Sequence, residues 1–160
     1  MIDISKFDIT ELPFGERRTN YKPDIQLYTY LKEEGIRKMV SDHYDLLVQS
    51  SIKDIFPDTE ELLDGAKKRS SDFFIQRFGG PEYYKMTRGN PRLADRHLPF
   101  KISPKSRIVW LDCYRQVLSK LEGVPEEVVL AFWKWIDEFS NWMVNQDDTP
   151  TFKLNFSLGK

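Results

Sequence analysis

The stretch 78-FGGPEYYKMTRGNPRLADRHLPF-100 decides how this chain folds. It carries a Gly79-Gly80-Pro81 break, a Gly89-Asn90-Pro91 break and His97, one of two histidines in the chain. Glycine and proline at these positions end helices. The segment therefore holds no long helix, only a short helical piece over about 91–97. On both sides of it the apolar residues recur at three- and four-residue steps, the signature of amphipathic helix.

Upstream, Pro23-Asp24 predicts a short helix over 24–33 that stops at Gly35. A second helix over 36–50 follows, with Ile36, Met39, Val40, His43/Tyr44 and Leu47 on one face, so that Tyr44 points inward. Ile52, Ile55 and Phe56 form a tight apolar turn closed by Pro57. Asp58 with Glu61 has the spacing of a capping box and predicts a helix to about Phe78. Its inner stripe reads Leu62/Leu63, Ala66, Ser70, Phe73/Phe74 and Phe78. Ser70 then bonds back to its own helix or faces a cavity.

Downstream, Pro104 predicts a helix over 104–121 with Trp110, Tyr114, Val117 and Leu121 in one stripe and Cys113 beside it. The last helix spans 125–145, with Glu126 and Glu127 at its positive end. Val128, Val129, Phe132, Ile136, Phe139 and Met143 make its buried face, broadened by Trp133, Trp135 and Trp142. No strand is predicted in the body of the chain. The fold class is all-α, in three parts: an N-terminal extension over 1–23, a helical domain over 24–146 and a C-terminal tail over 147–160. The extension lies over the body, with Ile2, Ile4, Phe7, Ile9, Leu12 and Phe14 as candidate anchors.

Composition narrows the function. The 160 residues are enough for one domain with a real core. An aromatic fraction of 14% supplies more rings than a plain helical bundle needs. A net charge of −1 gives no global attraction to nucleic acid or to anionic membranes. With Cys113 the single cysteine, neither an intrachain disulfide nor a cysteine-based zinc site can form. A lone thiol and an N-terminus without a secretory pattern point to the cytoplasm. No apolar run approaches the length of a membrane span.

Among chemistries, H-E-x-x-H, a phosphate-binding glycine loop and G-x-S-x-G are all missing. Two readings of His97 stay open from the residues alone: a hydrogen-bonded structural histidine, or a ligand to a metal or haem iron held among Leu93, Leu98 and Phe100. Tyr44 and Trp110 likewise read as core rings or as a phenol and an indole facing a site, each needing an acceptor.

Three strings taken together resemble the truncated haemoglobins, and their second group in particular: Phe78-Gly-Gly-Pro-Glu-Tyr-Tyr, then Gly89-x-Pro-Arg-Leu-x-x-Arg-His-x-Pro-Phe, then Trp110-Leu-x-Cys. The resemblance runs over about 26–146. It implies a globin-like two-over-two helical sandwich around haem b. Carried over, it makes His97 the iron ligand, Tyr44 the distal tyrosine, Phe56 the turn aromatic on the haem and Trp110 the tryptophan that marks the group. Ala66 takes the place of a distal histidine, and Ser70 the next inward position, where the group usually has a larger apolar residue. Arg69 and Arg96 match positions that approach the haem propionates, and Phe73 and Phe78 match pocket walls. Asn90 stands where the family often has histidine. The spacing from Tyr44 to Phe56 is shorter than usual and that from Phe56 to Ala66 longer.

The resemblance implies binding or transport of oxygen or another diatomic ligand, as a monomer or homodimer. Two alternatives share the scaffold: a haem enzyme for peroxide, nitric oxide or nitrite, which needs an external reductase, and a sensor or interaction domain.

Overall fold

The computed structural model describes residues 2–18, 23 and 26–148, and among them every regular element is a helix. A 3-10 turn at Ile4–Lys6 precedes α1 (Gln26–Leu47). A second 3-10 turn at Lys53–Ile55 leads into α2 (Glu60–Arg77), α3 (Tyr83–Arg88) and α4 (Leu93–Arg96), and then α5 (Pro104–Ser119) and α6 (Glu126–Asn141) complete the body. α1 packs on α2 and α5 packs on α6, and α1 also meets α5 and α6, so two helical pairs share one core.

The core is where the stripes converge. Ile36 and Leu47 of α1, Ile75 of α2, Leu111 and Leu118 of α5, and Val129 and Ile136 of α6 are each wholly out of solvent. Each such aliphatic side chain is worth roughly 1.5–3 kcal/mol of burial. Around them Phe74, Phe78, Phe132 and Trp135 pack edge-on, tilted and stacked, with centroids 5.2–6.2 Å apart, the range aromatic pairs prefer.

Three boundaries differ from expectation, each for a local reason. α2 is capped by Thr59, whose hydroxyl accepts from the Leu62 N–H at 3.3 Å, rather than by Asp58. Thr59 has the extended backbone a cap requires. The break in α1 falls at Lys32, at φ 59 and ψ −173, rather than at Gly35. Gly35 stays helical because its missing side chain admits Leu31: a Cβ there would lie 2.8 Å from Leu31 Cβ. α3 forms where an irregular stretch was expected. Gly79, at φ 98, turns the chain, and the Gly80 N–H closes on Ile75 O at 2.8 Å. The next residues start afresh, with Gln76 Oε1 accepting the Lys85 N–H at 2.8 Å and Tyr84 buried.

The N-terminal segment does lie over the body, strapped to α5 and α6. Phe7 is 1% exposed, with its ring 5.1 Å from Trp133. The Trp133 indole donates to Asp8 O at 2.6 Å, and the Arg115 guanidinium donates to Phe7 O. Buried Arg107 donates to Thr10 O, Ser140 Oγ and Asp137, while Asp137 Oδ1 also accepts the Thr10 N–H at 3.0 Å. Ile2 and Ile9 pack partly against the core, but Ile4 and Phe14 are half exposed and are not anchors. Leu62 and Trp142, expected on inner faces, are also exposed. Trp142 lies on the rim, where its indole donates to Arg18 O at 3.1 Å. The tail beyond residue 148 lies outside the described residues.

Candidate functional site

His97 is the C-cap of α4, a helix of four residues. Its Nδ1 lies 2.6 Å from Leu93 O, one turn back. A carbonyl can only accept, so Nδ1 carries a proton, and in the neutral ring Nε2 keeps its lone pair. The ring is half-buried, with the Phe100 ring 6.3 Å away. Neighbouring Arg96 stiffens the approach to it. Its Nε donates to Pro91 O at 2.7 Å and its Nη2 to Arg88 O and Asn90 O at 2.9 and 3.1 Å, with the guanidinium over the Tyr84 ring. Two of the Arg96 nitrogens are thus engaged by the turn, leaving Nη1 for any further partner.

A second cluster gathers the inward-facing polar rings. The Tyr44 hydroxyl lies 2.8 Å from Ser70 Oγ, joining α1 to α2, so Ser70 is bonded across the helices rather than back along its own. Burial pushes the Tyr44 phenol above its ordinary pKa, while Ser70 and the charge of Arg69 pull the other way. Phe56 stands edge-on to Tyr44 at 5.8 Å, and Ala66 is buried on α2. Trp110 joins the cluster through His43 and Tyr114, with ring centroids 5.0 Å from each. Its indole N–H makes no hydrogen bond with a described residue.

His43, beside Tyr44 on the α1 stripe, is the third member of this cluster. It is fully buried and stacked 3.6 Å from Tyr114, and its Nε2 donates to Trp110 O at 3.0 Å. Burial lowers its pKa to about 3, against a weaker opposing effect of the Trp110 carbonyl. It is therefore a neutral brace between α1 and the Trp110 backbone. Its place on the α1 stripe could have signalled burial, but not which carbonyl it would meet.

The remaining residues divide. Phe73 is buried among Phe74, Tyr84, Trp135 and Phe139, and it lines a cleft of about 410 Å³ shared with Leu93, Phe139 and Met143. Since Leu93 also supplies the carbonyl that orients His97, this apolar cleft adjoins the histidine turn. Tyr44, Ser70, Trp110 and His97 do not line it. Phe78 is wholly buried against Phe74, Phe132 and Trp135, in the core. Cys113 is buried, which raises its thiol pKa and leaves it a poor nucleophile. Among the described residues no three His, Cys, Asp or Glu side chains converge on one point. A metal at His97 would have to bring its own remaining ligands, as the iron of a haem does.

Residues 28–145 match the family model for bacterial-like globins. The group 2 truncated hemoglobin YjbI of Bacillus subtilis is 30% identical over 122 residues, which is 76% of this chain and 89% of that protein. In structure, the chain is similar to the phosphate-bound Hell's gate globin IV, with a TM-score of 0.77, 34% identity and coverage of 94% of this chain and 98% of that one. It is also similar to the group II truncated hemoglobin of Bacillus anthracis, with a TM-score of 0.71, 28% identity and coverage of 81% and 97%.

Proposed function

The chain belongs to the bacterial-like globins, as a truncated haemoglobin of the second group, and from that premise we propose that it binds oxygen or another diatomic ligand at a haem b iron held by His97, with Trp110 and Tyr44 steadying the ligand. The family is one of haem-binding globins that take small ligands. The observation that carries the finer reading is the 2.6 Å bond from His97 Nδ1 to Leu93 O, which makes Nε2 the nitrogen the neutral ring can offer to a metal. Haem, when bound, would be held by His97 and would supply the iron chemistry that takes up a diatomic ligand.

The chain's own residues do the rest. Leu93 O fixes the His97 tautomer and ring orientation. The Trp110 indole is a donor without a partner among the described residues, and Tyr44 shares one hydroxyl bond with Ser70. Both can therefore donate to a ligand that carries negative charge. Phe56, edge-on to Tyr44, limits water beside its hydroxyl, while Phe73 walls the cleft that adjoins the His97 turn. Arg69 and the spare nitrogen of Arg96 are the cations offered to the propionates.

The absorption spectrum of purified protein tests this, recorded oxidised, reduced and reduced under carbon monoxide. A Soret band, a five-coordinate reduced form and a carbon monoxide shift are expected, all lost in His97→Ala. A colourless protein, or an unchanged His97→Ala spectrum, overturns the reading. The polar Tyr44–Ser70 pair supports a second reading, turnover of peroxide, nitric oxide or nitrite with an external electron donor, because such donors also stabilise developing charge. Steady-state rates no higher than those of free haem exclude it.

A further inference from the structure

The loop that follows His97 has little apolar burial to hold it. Leu98 is 66% exposed and Phe100 is 44% exposed, and α4 before it is a single turn. A histidine set to within a few tenths of an ångström needs another constraint. Among the described residues, one side chain from outside the loop bonds it, and that residue lies 48 positions along the chain from His97.

We propose that Asn145 is the positioning residue for His97. Its amide turns both of its polar atoms on this loop. Oδ1 accepts the Ile102 N–H at 2.9 Å, and Nδ2 donates to Phe100 O at 2.8 Å and to His97 O at 3.2 Å. The Asn145 main chain adds to the latch, its N–H donating to Ile102 O at 2.9 Å, where the Gln146 N–H also points at 3.2 Å. His97 is thus held twice, by its ring on Leu93 O and by its carbonyl on the Asn145 amide.

The anchor itself is firm. Val144 is 6% exposed, and its carbonyl accepts from Arg17 Nη2 at 2.6 Å, so the residue before the latch is tied to both the core and the N-terminal strap. Three residues on, Asp148 Oδ1 accepts the Lys105 N–H at 3.2 Å at the start of α5. The segment 144–148 therefore sutures the loop at both of its ends. Asparagine suits this role because it offers two donors and one acceptor on a short arm. Aspartate keeps the acceptor and loses the donors, and alanine loses all three.

This inference rests on the reading of His97 as the iron ligand, and its test separates the two. Haem loss from the holoprotein to excess apomyoglobin is timed for the wild type, Asn145→Asp and Asn145→Ala. The ferrous iron–histidine stretching band is recorded for each. Loss about tenfold faster in both variants, with a shifted or broadened band, is the expected result, since residues that orient a metal ligand typically act on that scale. Loss within twofold of wild type, or faster loss with the band unmoved, overturns the positioning role.

His97→Gly supplied with imidazole in solution completes the test. There Asn145→Asp should have no further effect on haem loss, and a further tenfold would show that Asn145 acts elsewhere. A His97→Gly protein that keeps the wild-type spectrum without imidazole would remove the ligand assignment itself, and this proposal with it. Amide hydrogen exchange gives a reading independent of the spectrum. Ile102, whose N–H bonds Asn145 Oδ1, should exchange faster in Asn145→Ala and keep its protection in Asn145→Asp.

Discussion

The two histidines make the same bond and end in opposite situations. Each places one ring nitrogen on a backbone carbonyl, His43 on Trp110 O and His97 on Leu93 O. His43 uses Nε2 and lies wholly inside the helical body, stacked on Tyr114. His97 uses Nδ1 and sits half-buried on a short turn between two breaks. The nitrogen left over decides the outcome. The far nitrogen of a side chain on an open turn can reach a metal, whereas the near nitrogen of a ring packed in the core cannot. Residue type is shared between the two positions, so the difference is one of tautomer and setting.

Substitution of the histidines should break the symmetry first. His97→Ala is expected to leave the protein folded but without a Soret band, whereas His43→Phe should keep the band; equal spectra from the two would erase the distinction. Acid titration should then sharpen it. The folded His43 pKa of about 3 lies below its ordinary value of 6.5. Above pH 6.5 the ring is neutral in both states and its contribution to stability is fully present. As pH falls from 6.5 towards 3 the unfolded chain takes up the extra proton, and stability is lost by up to about 1.4 kcal/mol per pH unit. Urea midpoints measured across that window should fall more steeply for wild type than for His43→Phe, and parallel curves would mean that His43 is not held neutral.

Smaller effects concern what each histidine's neighbours do. Trp110→Phe removes the indole donor and should speed oxygen release roughly 5- to 150-fold, as expected for about 1–3 kcal/mol. Flash photolysis or stopped-flow mixing reads this directly; if Trp110→Phe and Tyr44→Phe both release oxygen at the wild-type rate, the donors have been wrongly assigned. Ser70→Ala frees the Tyr44 hydroxyl from its partner at 2.8 Å. Release should slow by no more than about tenfold, the effect of one ordinary hydrogen bond of up to about 1.5 kcal/mol, and faster release would mean that Ser70 itself is the donor.

Much of the fold was legible because its signals are local. The Gly79-Gly80 and Gly89-Asn90-Pro91 breaks and the long stripes of α5 and α6 all lie within one helical turn of their cause. The errors came where two adjacent residues offered the same chemistry. Asp58 and Thr59 are both good caps, and only the backbone at Thr59 selects it. Gly35 looked like a stop, yet the close approach of Leu31 makes it a packing residue. In the site, Tyr44 and Ser70 were legible as inward positions on separate helices, although their 2.8 Å bond was not. Asn145 carried no signal at all, since its partners lie 43 to 48 residues away and are backbone atoms of no particular type.

The strap has a consequence for the order of folding. Its bonds from Trp133 to Asp8, from Thr10 to Asp137 and from Arg17 to Val144 span 125 to 127 residues. Loop closure on that scale is costly until the intervening chain has already collapsed. The α1–α2 contact can form early, within neighbouring sequence, but Phe7 has no pocket until α6 presents Trp133. On a ribosome, the strap is therefore made well before α6 and placed only after it.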